Sequence, residues 1–261
     1  MKLPGTVALV TGAGKRIGRA VALALAEDGC DVFVHYGRSE EAAERTAADI
    51  RGMGRRAETG SADLADPSAI DGLFEAAADR FGRLDILVNS AASFARRPFD
   101  EIDAEAWDAV QAVNVRAPFL CTRRAALLMR TVADRPGSLG EAGAPGAVVN
   151  FGDLAGVTTW KGYAHHGVSK AGVLHLSRVA ARELAPDVRV NAVVPGPILP
   201  PPGESADSES WRRKGERVPL ARTGDPSHIA STVRFLVEND FVTGATIFVD
   251  GGENLLPGGR D

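Results

Sequence analysis

Three glycines after the first apolar run of the chain have the type and spacing of a phosphate-binding turn. The segment reads Thr11-Gly12-Ala13-Gly14-Lys15-Arg16-Ile17-Gly18 and separates the apolar residues Val7–Val10 from a stretch of helical period. Glycines in such a turn let backbone N–H groups approach a pyrophosphate, which the N-terminus of the following helix then stabilises. A tight turn without a ligand is the alternative. The position between a strand and a helix favours a dinucleotide site lined by Gly12, Gly14, Arg16, Ile17 and Gly18.

The residues at the end of the second apolar run indicate which dinucleotide binds. They read His35-Tyr36-Gly37-Arg38-Ser39, with no carboxylate before Glu40. A site for NAD would place Asp or Glu there, to accept hydrogen bonds from the adenosine ribose. Arg38 can instead pair with a 2′-phosphate and Ser39 can donate to it, while Arg16 lies in the adjoining turn. Two surface arginines without a ligand are the alternative, but their coincidence with the turn favours NADP(H), bound along His35, Tyr36, Arg38 and Ser39.

The elements that must position these residues alternate regularly along the chain. The predicted strands are Val7–Val10, Asp31–Val34, Ile86–Val88, Ala147–Asn150, Arg189–Val193 and Ile247–Val249. The predicted helices are Arg16–Ala26, Glu40–Arg51, Pro67–Phe81, Ala104–Arg130, Ser169–Leu184 and Pro226–Val237. The strand runs are continuously apolar, as in strands that are covered on both faces. This alternation predicts one α/β domain over residues 1–261, a doubly wound parallel sheet with helices on both faces.

Two segments interrupt the alternation. Asp134–Gly146 is rich in Gly, Pro and Ser, which predicts a surface loop. Pro195–Glu209 contains five prolines and can be neither a helix interior nor a central strand. Because it follows the carboxyl end of a strand, where ligands bind in open sheets, we predict a substrate lid at about 195–217 rather than a plain loop. The basic cluster Trp211-Arg212-Arg213-Lys214 is interpreted as a solvated helix face rather than an anion site.

Composition excludes several classes of protein. The 261 residues include 30 Lys and Arg against 34 Asp and Glu, a net charge of −4, so no basic surface for nucleic acid or an anionic membrane is expected. Cys30 and Cys121 lie far apart, which suggests neither a disulfide framework nor a metal site. No apolar run approaches the roughly 20 residues of a membrane span. No apolar leader precedes Val7, so the cytoplasm is the expected location.

Together these residues resemble the short-chain dehydrogenase/reductase family, from Val7 to Leu255. The Thr11–Gly18 turn is similar to the family's glycine motif, with Arg16 in place of a glycine. The other matching segments are Asp63-Leu64, Asn89-Ser90-Ala91-Ala92, Asn114, Pro195-Gly196 and Val242–Gly252. Their order and spacing are more specific than any one of them.

The resemblance implies a role for each matching segment. Asp63 and Leu64 are expected on the adenine side of the cofactor, with Asn89, Ser90 and Ala91 further along the same site. Asn114 matches the helix asparagine that holds a water of the proton relay. Pro195 and Gly196 match the turn that contacts the nicotinamide carboxamide. A homotetramer is also implied, with Ala104–Arg130 and the helix after Ser169 at one interface and the final strand at another; a monomer is the alternative.

Within the family, the sequence is most similar to pteridine reductases. Lys15-Arg16, the His35-Tyr36-x-Arg38-Ser39 run and an aspartate, Asp153, where most members carry serine all point to this branch. Phe94 matches the aromatic residue that helps to sandwich a pterin against the nicotinamide. A flat heteroaromatic ring would gain both burial and stacking there. An ordinary half-buried loop aromatic is the alternative for Phe94.

The family's usual catalytic acid is a tyrosine four residues before a lysine on one helix, where both side chains share a face. Here His166 stands four residues before Lys170, so the site reads Asn114, Asp153, His166 and Lys170. Tyr163 could substitute for the missing tyrosine only if the helix begins differently from the family pattern. The neighbouring His165 points about 100° away on a helix and is expected to pack or to lie at the surface.

The chemistry of such a site can be derived from the side chains. Hydride delivery to a C=N or C=O carbon leaves negative charge on the heteroatom, and a positioned acid that protonates it contributes roughly 10²–10⁴-fold. Imidazolium is a good acid and neutral imidazole a poor one. Lys170 disfavours the charged imidazole and Asp153 favours it. We therefore hypothesise that an Asp153–His166 pair protonates the reduced substrate, with Phe94 and Tyr163 as further substrate contacts.

Two other functions stay open on sequence alone. One is a reductase of ketones or 3-oxoacyl thioesters, against which Phe94 and Asp153 argue mildly. The other is an NADP-binding scaffold or sensor that has lost turnover together with the tyrosine.

Overall fold

The computed structural model of the protein describes residues 1–133 and 146–256. Within these residues, seven parallel strands form one sheet in the order β3-β2-β1-β4-β5-β6-β7. The strands are β1 Val7–Thr11, β2 Asp31–Tyr36, β3 Ala57–Ser61, β4 Ile86–Asn89, β5 Gly146–Phe151, β6 Val188–Pro195 and β7 Thr246–Val249. The helices are α1 Arg16–Glu27, α2 Glu40–Gly52, α3 Pro67–Phe81, α4 Ala104–Gln111, α5 Ala117–Ala133, α6 Ala164–Leu184, α7 Glu209–Glu216 and α8 Pro226–Glu238. The predicted doubly wound α/β fold is confirmed.

Helices cover both faces of the sheet because its central strands are apolar throughout. In β1, Ala8 and Val10 face a core shared with α1, α2 and α8, whereas Val7 and Leu9 face a core shared with α3, α5 and α6. The chain winds outward from β1 to β3 and then returns to β4 on the other side of β1. In such sheets, ligands bind in the crevice at the carboxyl ends of the strands, where the winding direction changes. The site is therefore expected between β1 and β4.

Three elements differ from the sequence prediction. The edge strand β3 pairs only with β2 and was not among the predicted strands, because its residues Glu58 to Ser61 are not apolar. The predicted helix Ala104–Arg130 is divided by a π-helical turn at Ala112–Arg116. Such turns are rare and frequent at functional sites, and this one holds Asn114. Helix α6 begins at Ala164, five residues before the predicted start.

The segment predicted as a lid contains a helix of its own. The Ser208 hydroxyl accepts a hydrogen bond from the Trp211 N–H at 3.1 Å and caps the start of α7. Trp211 is buried, whereas Arg212 and Arg213 are exposed and pair with acidic residues of the same helix. This geometry agrees with a solvated helix face. The loop predicted at 134–146 lies outside the described residues, apart from Gly146, which begins β5.

Over residues 1–133 and 146–256, no helix combines the length and hydropathy needed to cross a membrane. The same part of the chain holds no group of three or more metal-ligating side chains. Cys30 and Cys121 are free and buried, and burial raises the pKa of each thiol to about 12.

Candidate active site

The turn between β1 and α1 is a cradle of backbone atoms. Gly12 has φ +67°, and a Cβ on Gly18 would lie 2.4 Å from the Gly12 carbonyl oxygen, so a larger residue does not fit at position 18. Lys15, the residue before α1, makes no capping hydrogen bond with its side chain, and the first turn of α1 holds no acidic residue. The first N–H groups of a helix lack intrahelical partners. The turn therefore fits the pyrophosphate of a dinucleotide.

His35 fixes this turn in place. The Gly12 N–H donates to His35 Nδ1 at 3.1 Å, and His35 Nε2 lies 3.1 Å from the Ala62 carbonyl oxygen. Burial lowers the pKa of His35, which favours a neutral ring that accepts at Nδ1 and donates at Nε2. Both ring nitrogens are thus occupied within the protein. Among the predicted cofactor residues, His35 positions the turn and leaves no ring nitrogen for a ligand.

The end of β2 presents a different set of groups. Tyr36 ends the strand, and Arg38 is exposed, with no hydrogen bond or ion pair within the described part of the chain. Ser39 precedes α2 without capping it. The end of β2 therefore offers a free guanidinium and a hydroxyl, which suit a phosphate better than a ribose diol. Just after the neighbouring strand β3, the Asp63 carboxylate accepts from the Ala65 N–H at 2.9 Å, and Leu64 is buried.

Arg16 reaches the lid rather than the end of β2. Its Nη2 donates to the Pro200 carbonyl oxygen at 2.8 Å, a contact between residues 184 positions apart. Arg16 also has φ +54°, in the left-handed region that favours glycine. The sequence pattern predicts Arg16 in the turn next to the phosphate that Arg38 and Ser39 would bind. In the structure it joins the glycine turn to the lid across the crevice.

The carboxyl ends of β1, β4 and β5 are tied together by polar side chains. The Thr11 hydroxyl accepts from the N–H groups of Ser90 at 3.0 Å and Ala91 at 3.1 Å. The Asn89 side chain donates to Asn150 Oδ1 at 2.8 Å. Thr11 was not singled out from the sequence. A hydroxyl on the last residue of a strand that ends in a glycine turn is the signal that could have found it.

The turn after β6 also requires a glycine. A Cβ on Gly196 would lie 2.5 Å from Asp250 Cα, because the turn packs directly on the chain after β7. The Gly196 N–H donates to the Val249 carbonyl oxygen at 3.0 Å. Pro195 and Gly196 thus hold the start of the lid next to the crevice.

Asn114 organises the catalytic side of the crevice from the π-helical turn. Its Oδ1 accepts from the Ser93 N–H at 2.7 Å. Its Nδ2 donates to the Ser93 carbonyl oxygen at 2.9 Å and to the Ser169 hydroxyl at 3.0 Å. The Ser169 hydroxyl in turn donates to the His166 carbonyl oxygen at 2.6 Å. Asn114 therefore links the segment after β4 to the first turns of α6.

The same contacts determine where His166 carries its proton. Both N–H groups of the Asn114 amide are used by Ser93 and Ser169, and the third neighbour, His166 Nδ1, lies further away at 3.4 Å. His166 Nδ1 lies 3.2 Å from the Ser93 carbonyl oxygen, which can only accept. We therefore assign the Nδ1 proton to this hydrogen bond. The nitrogen that gains and loses a proton is then Nε2.

Asp153 and Lys170 set the charge around that nitrogen. His166 Nε2 is buried without a hydrogen bond and lies 3.5 Å from Asp153 Oδ2. Burial favours the neutral form of Asp153, yet its pKa is lowered, because His166 Nε2 lies close to it, the Ala155 N–H donates to it and Lys170 adds positive charge. Lys170 Nζ donates to the Phe151 carbonyl oxygen at 2.8 Å, and burial lowers the pKa of Lys170 to about 8, against the opposing charge of Asp153. The site thus pairs a carboxylate with a proton-carrying imidazole beside an ammonium group.

An aromatic wall stands in front of the pair. Phe94, whose side chain is 57% exposed, stacks on Tyr163 with ring centroids 4.9 Å apart and meets the His166 ring edge-on at 4.7 Å. Trp160 contacts Tyr163 at 5.8 Å. The Arg97 N–H donates to the Gly162 carbonyl oxygen at 2.9 Å. The segments after β4 and before α6 therefore form one surface, against which a flat ring can pack.

Tyr163 does not share the helical face of Lys170. It precedes α6 with non-helical φ −129°, whereas His166 and Lys170 lie one turn apart within the helix. His165 is buried, and its carbonyl oxygen accepts from Gln111. Of the predicted catalytic and substrate residues, the structure brings Asn114, Asp153, His166 and Lys170 into one cluster and places Phe94 and Tyr163 on its open side.

Known proteins share this fold over nearly their whole length. The 3-oxoacyl-[acyl-carrier-protein] reductase of Synechocystis sp. is 36% identical over 254 residues, which cover 96% of this chain and 97% of that protein. The structure of a short-chain dehydrogenase from Burkholderia cenocepacia in complex with NADP superposes with a TM-score of 0.85 at 34% identity, covering 97% of this chain and 100% of that one. FolM alternative dihydrofolate reductase 1 from Brucella canis, complexed with NADP, gives a TM-score of 0.85 at 32% identity over 98% and 97% of the two chains.

A family model described as enoyl-(acyl carrier protein) reductase matches residues 12–254. The match runs from the glycine turn through the cluster of Asn114, Asp153, His166 and Lys170 to the end of the sheet. Together with the full-length similarity to its relatives, it shows that this chain belongs to the short-chain dehydrogenase/reductase family of oxidoreductases.

Proposed function

We propose that this oxidoreductase uses NADPH to reduce a C=N or C=O bond of a flat, pterin-like or carbonyl substrate. The observation that carries the proposal is the pair of buried His166 and partly exposed Asp153, 3.5 Å apart, beside Lys170. A proton donor of this kind is needed wherever hydride addition leaves negative charge on a heteroatom. The aromatic wall of Phe94 and Tyr163 offers the ring of such a substrate a place to stack.

NADP(H) is the cofactor, and NADPH supplies the hydride when bound. The glycine turn and the open N-terminus of α1 hold its pyrophosphate, and Arg38 and Ser39 hold the 2′-phosphate. Lys170 holds the nicotinamide ribose. The further cofactor contacts that we propose are Gly12, Gly14, Ile17, Gly18, Tyr36, Asp63, Leu64, Asn89, Ser90, Ala91, Pro195 and Gly196.

The residues of the cluster act on one proton. Asp153, held as a carboxylate, stabilises the imidazolium form of His166, whose Nε2 proton passes to the substrate heteroatom. The other ring proton stays on Nδ1, which donates to the Ser93 carbonyl oxygen at 3.2 Å, and this hydrogen bond keeps the ring from rotating. The Lys170 ammonium stabilises the negative charge that develops nearby and is present in full only below pH about 8.

Two substrate classes compete within this activity. The Brucella relative is an alternative dihydrofolate reductase, and the exposed ring of Phe94 together with Asp153 favours a flat heteroaromatic substrate of that kind. The Synechocystis relative is a 3-oxoacyl-[acyl-carrier-protein] reductase, which supports a linear 3-oxoacyl thioester or a ketone as the second candidate. The third candidate is an NADP-binding protein without turnover, since the family's tyrosine is replaced by His166.

One assay separates these candidates. NADPH binding is first measured by fluorescence titration, and NADPH oxidation is then followed with dihydrobiopterin, dihydrofolate, acetoacetyl thioesters and simple ketones. We expect oxidation with the pterins, falling as the pH rises through about 8, where Lys170 loses the charge that stabilises the developing negative charge. Oxidation with thioesters or ketones alone would select the second candidate. Binding of NADPH without oxidation in any of these mixtures would select the third.

We also propose a homotetramer as the functional assembly. Phe119 and Leu127 on α5 and Val168 and Val179 on α6 are about half exposed, and apolar side chains concentrated on neighbouring helices are typical of subunit interfaces. Phe248 is likewise exposed on the edge strand β7. Sedimentation equilibrium tests the assembly, with one mass of about four chains expected, and a single-chain mass would contradict it.

A further inference from the structure

Two positively charged side chains border the outer edge of the aromatic wall. Arg96 lies two residues after Phe94, and Lys161 lies two residues before Tyr163. Both are exposed, and neither forms a hydrogen bond or an ion pair within residues 1–133 and 146–256. The adjacent Arg97 differs, because its guanidinium lies 3.7 Å from Asp103 and donates to the Glu101 carbonyl oxygen. Arg96 and Lys161 thus keep their charge uncompensated beside the pocket.

The side chain of Arg96 packs against Gly162. A Cβ on Gly162 would lie 3.2 Å from both Cγ and Nε of Arg96, so this side chain occupies the space that a larger residue would take. Gly162 has φ +82°, which other residues rarely adopt. The hydrogen bond from the Arg97 N–H to the Gly162 carbonyl oxygen locks the two segments together. The guanidinium is therefore attached to the rigid wall rather than to a free loop.

We infer that Arg96 and Lys161 bind an anionic group, carboxylate or phosphate, on the tail of a substrate whose ring stacks on Phe94 and Tyr163. The inference rests on the proposed function, since it assigns the tail of the same substrate. A guanidinium binds either anion through two parallel hydrogen bonds, and a neighbouring ammonium adds a point charge. Asp103, an acidic residue of the same segment, is engaged by Arg97. In a protein of net charge −4, two unpaired cationic side chains beside the aromatic wall favour an anionic ligand there.

Three probes with one ring system test the inference by binding, without turnover. Biopterin carries an uncharged tail, folate a dicarboxylate, and neopterin phosphate a phosphate. Calorimetry in the presence of NADP⁺ is expected to show that Arg96→Gln and Lys161→Gln each raise the Kd of the anionic probe about 10-fold and change that of biopterin less than 2-fold. The probe that responds more strongly identifies the carboxylate or the phosphate as the preferred group. Arg182→Gln, in the last turn of α6 and roughly 27 Å along the helix from Ala164, is the matched control and should change neither.

Kinetics give a second readout. When the enzyme reduces a substrate with an anionic tail, Arg96→Gln should raise KM about 10-fold and leave kcat unchanged. The reason is that the tail contact is the same before and during hydride transfer. Equal changes for charged and uncharged tails, or no change for either, would overturn the anion site while leaving the reductase intact. If none of the three pterins binds the wild-type protein, the proposed substrate ring fails and the tail site fails with it.

Discussion

The turn after β1 and the pocket beside α6 lie at the same edge of the sheet but provide positive charge by different means. At the turn, it comes from backbone N–H groups of α1 that no side chain caps. In the pocket, it comes from the ammonium group of Lys170, a side chain that is almost fully buried. The turn excludes a Cβ at Gly18 and is held in place by the His35 ring. The pocket depends on the identity of each polar atom, because a buried polar group without its partner is costly.

In three other helices, unlike in α1, a carboxylate caps the first turn. Helices α3, α4 and α8 begin at Asp66, Asp103 and Asp225, whose carboxylates accept hydrogen bonds from their own first turns. A carboxylate in the same place before α1 would occupy the N–H groups and repel a pyrophosphate. This difference shows that a site built from backbone N–H groups requires the absence of certain side chains, here a capping carboxylate and a Cβ. A side-chain site must be specified by several residues at once.

The strongest way to separate the two regions is to remove the imidazole. His166→Ala is expected to lower kcat by roughly 10²–10⁴-fold, the usual contribution of a general acid. The Kd of NADPH should change less than about 2-fold, because the glycine turn is untouched. Stopped-flow kinetics and fluorescence titration measure the two quantities. Retention of kcat would move the proton donor to another group, with Tyr163 the nearest phenol.

Two further variants of the pair serve as controls. Asp153→Ala removes the carboxylate that stabilises imidazolium, so kcat at neutral pH should fall by roughly 10- to 100-fold, equivalent to about 1.4–2.7 kcal/mol. The decline of kcat with rising pH should also begin at a lower pH than in the wild type. His166→Tyr restores the phenol of the family pattern and should recover activity at alkaline pH if the pocket is otherwise intact. Unchanged turnover in Asp153→Ala would rule out the pair.

The buried ammonium has a cost in stability that the backbone turn does not have. The pKa of Lys170 falls from 10.5 to about 8 on burial, so between these values the unfolded chain binds more protons than the folded one. The free energy of unfolding should therefore rise with pH from 8 to 10.5, by on the order of 3 kcal/mol from this group. Below pH 8 the cost is present in full. Lys170→Met should remove this slope.

Urea unfolding of both proteins at pH 7.5 and 10.5, without NADPH, measures the effect. Buried Cys30 and Cys121 contribute in the opposite sense, because burial raises their pKa, but they do so in both proteins. The difference between wild type and Lys170→Met isolates Lys170. Parallel pH profiles would mean that the folded protein keeps this amine charged without penalty.

These two regions also differ in how well the sequence predicts them. The glycine turn and the Arg38-Ser39 run were predictable because their chemistry depends on local order at a strand end. The partners of Asn114 were not, because the carbonyl oxygen of Ser93 belongs to an irregular segment and nothing in the residue type reveals its direction. The π-helical turn was missed because the apolar period continues through it. The edge strand β3 was missed because its residues are not apolar, and sheet pairing with β2 overrides that composition.

The preference for NADPH over NADH tests the side chains of the cofactor site, which is otherwise built from backbone groups. Arg38→Gln is expected to raise the Kd of NADPH about 10- to 100-fold, the range of a lost charge-assisted hydrogen bond. The Kd of NADH, which lacks the 2′-phosphate, should change less than 2-fold. Arg182→Gln controls for the loss of one positive charge. Equal weakening of both dinucleotides would place Arg38 outside the phosphate site.

The smallest expected effect lies where the turn meets the lid. Arg16 holds a left-handed conformation, φ +54°, which costs a residue other than glycine about 1–2 kcal/mol, and its guanidinium contacts Pro200 in the lid. Arg16→Gly should relieve the strain and release the lid, so the stability stays within about 1 kcal/mol of wild type while KM for the substrate rises a few-fold. Arg16→Lys keeps the strain and a donor for Pro200, so both its stability and its KM should stay close to those of wild type. Limited proteolysis within 195–217 reports the lid directly, and faster cleavage of Arg16→Gly than of Arg16→Lys is the expected order. Equal cleavage of the two variants would show that the contact with Pro200 does not hold the lid, and that the arginine at this position acts on the turn alone.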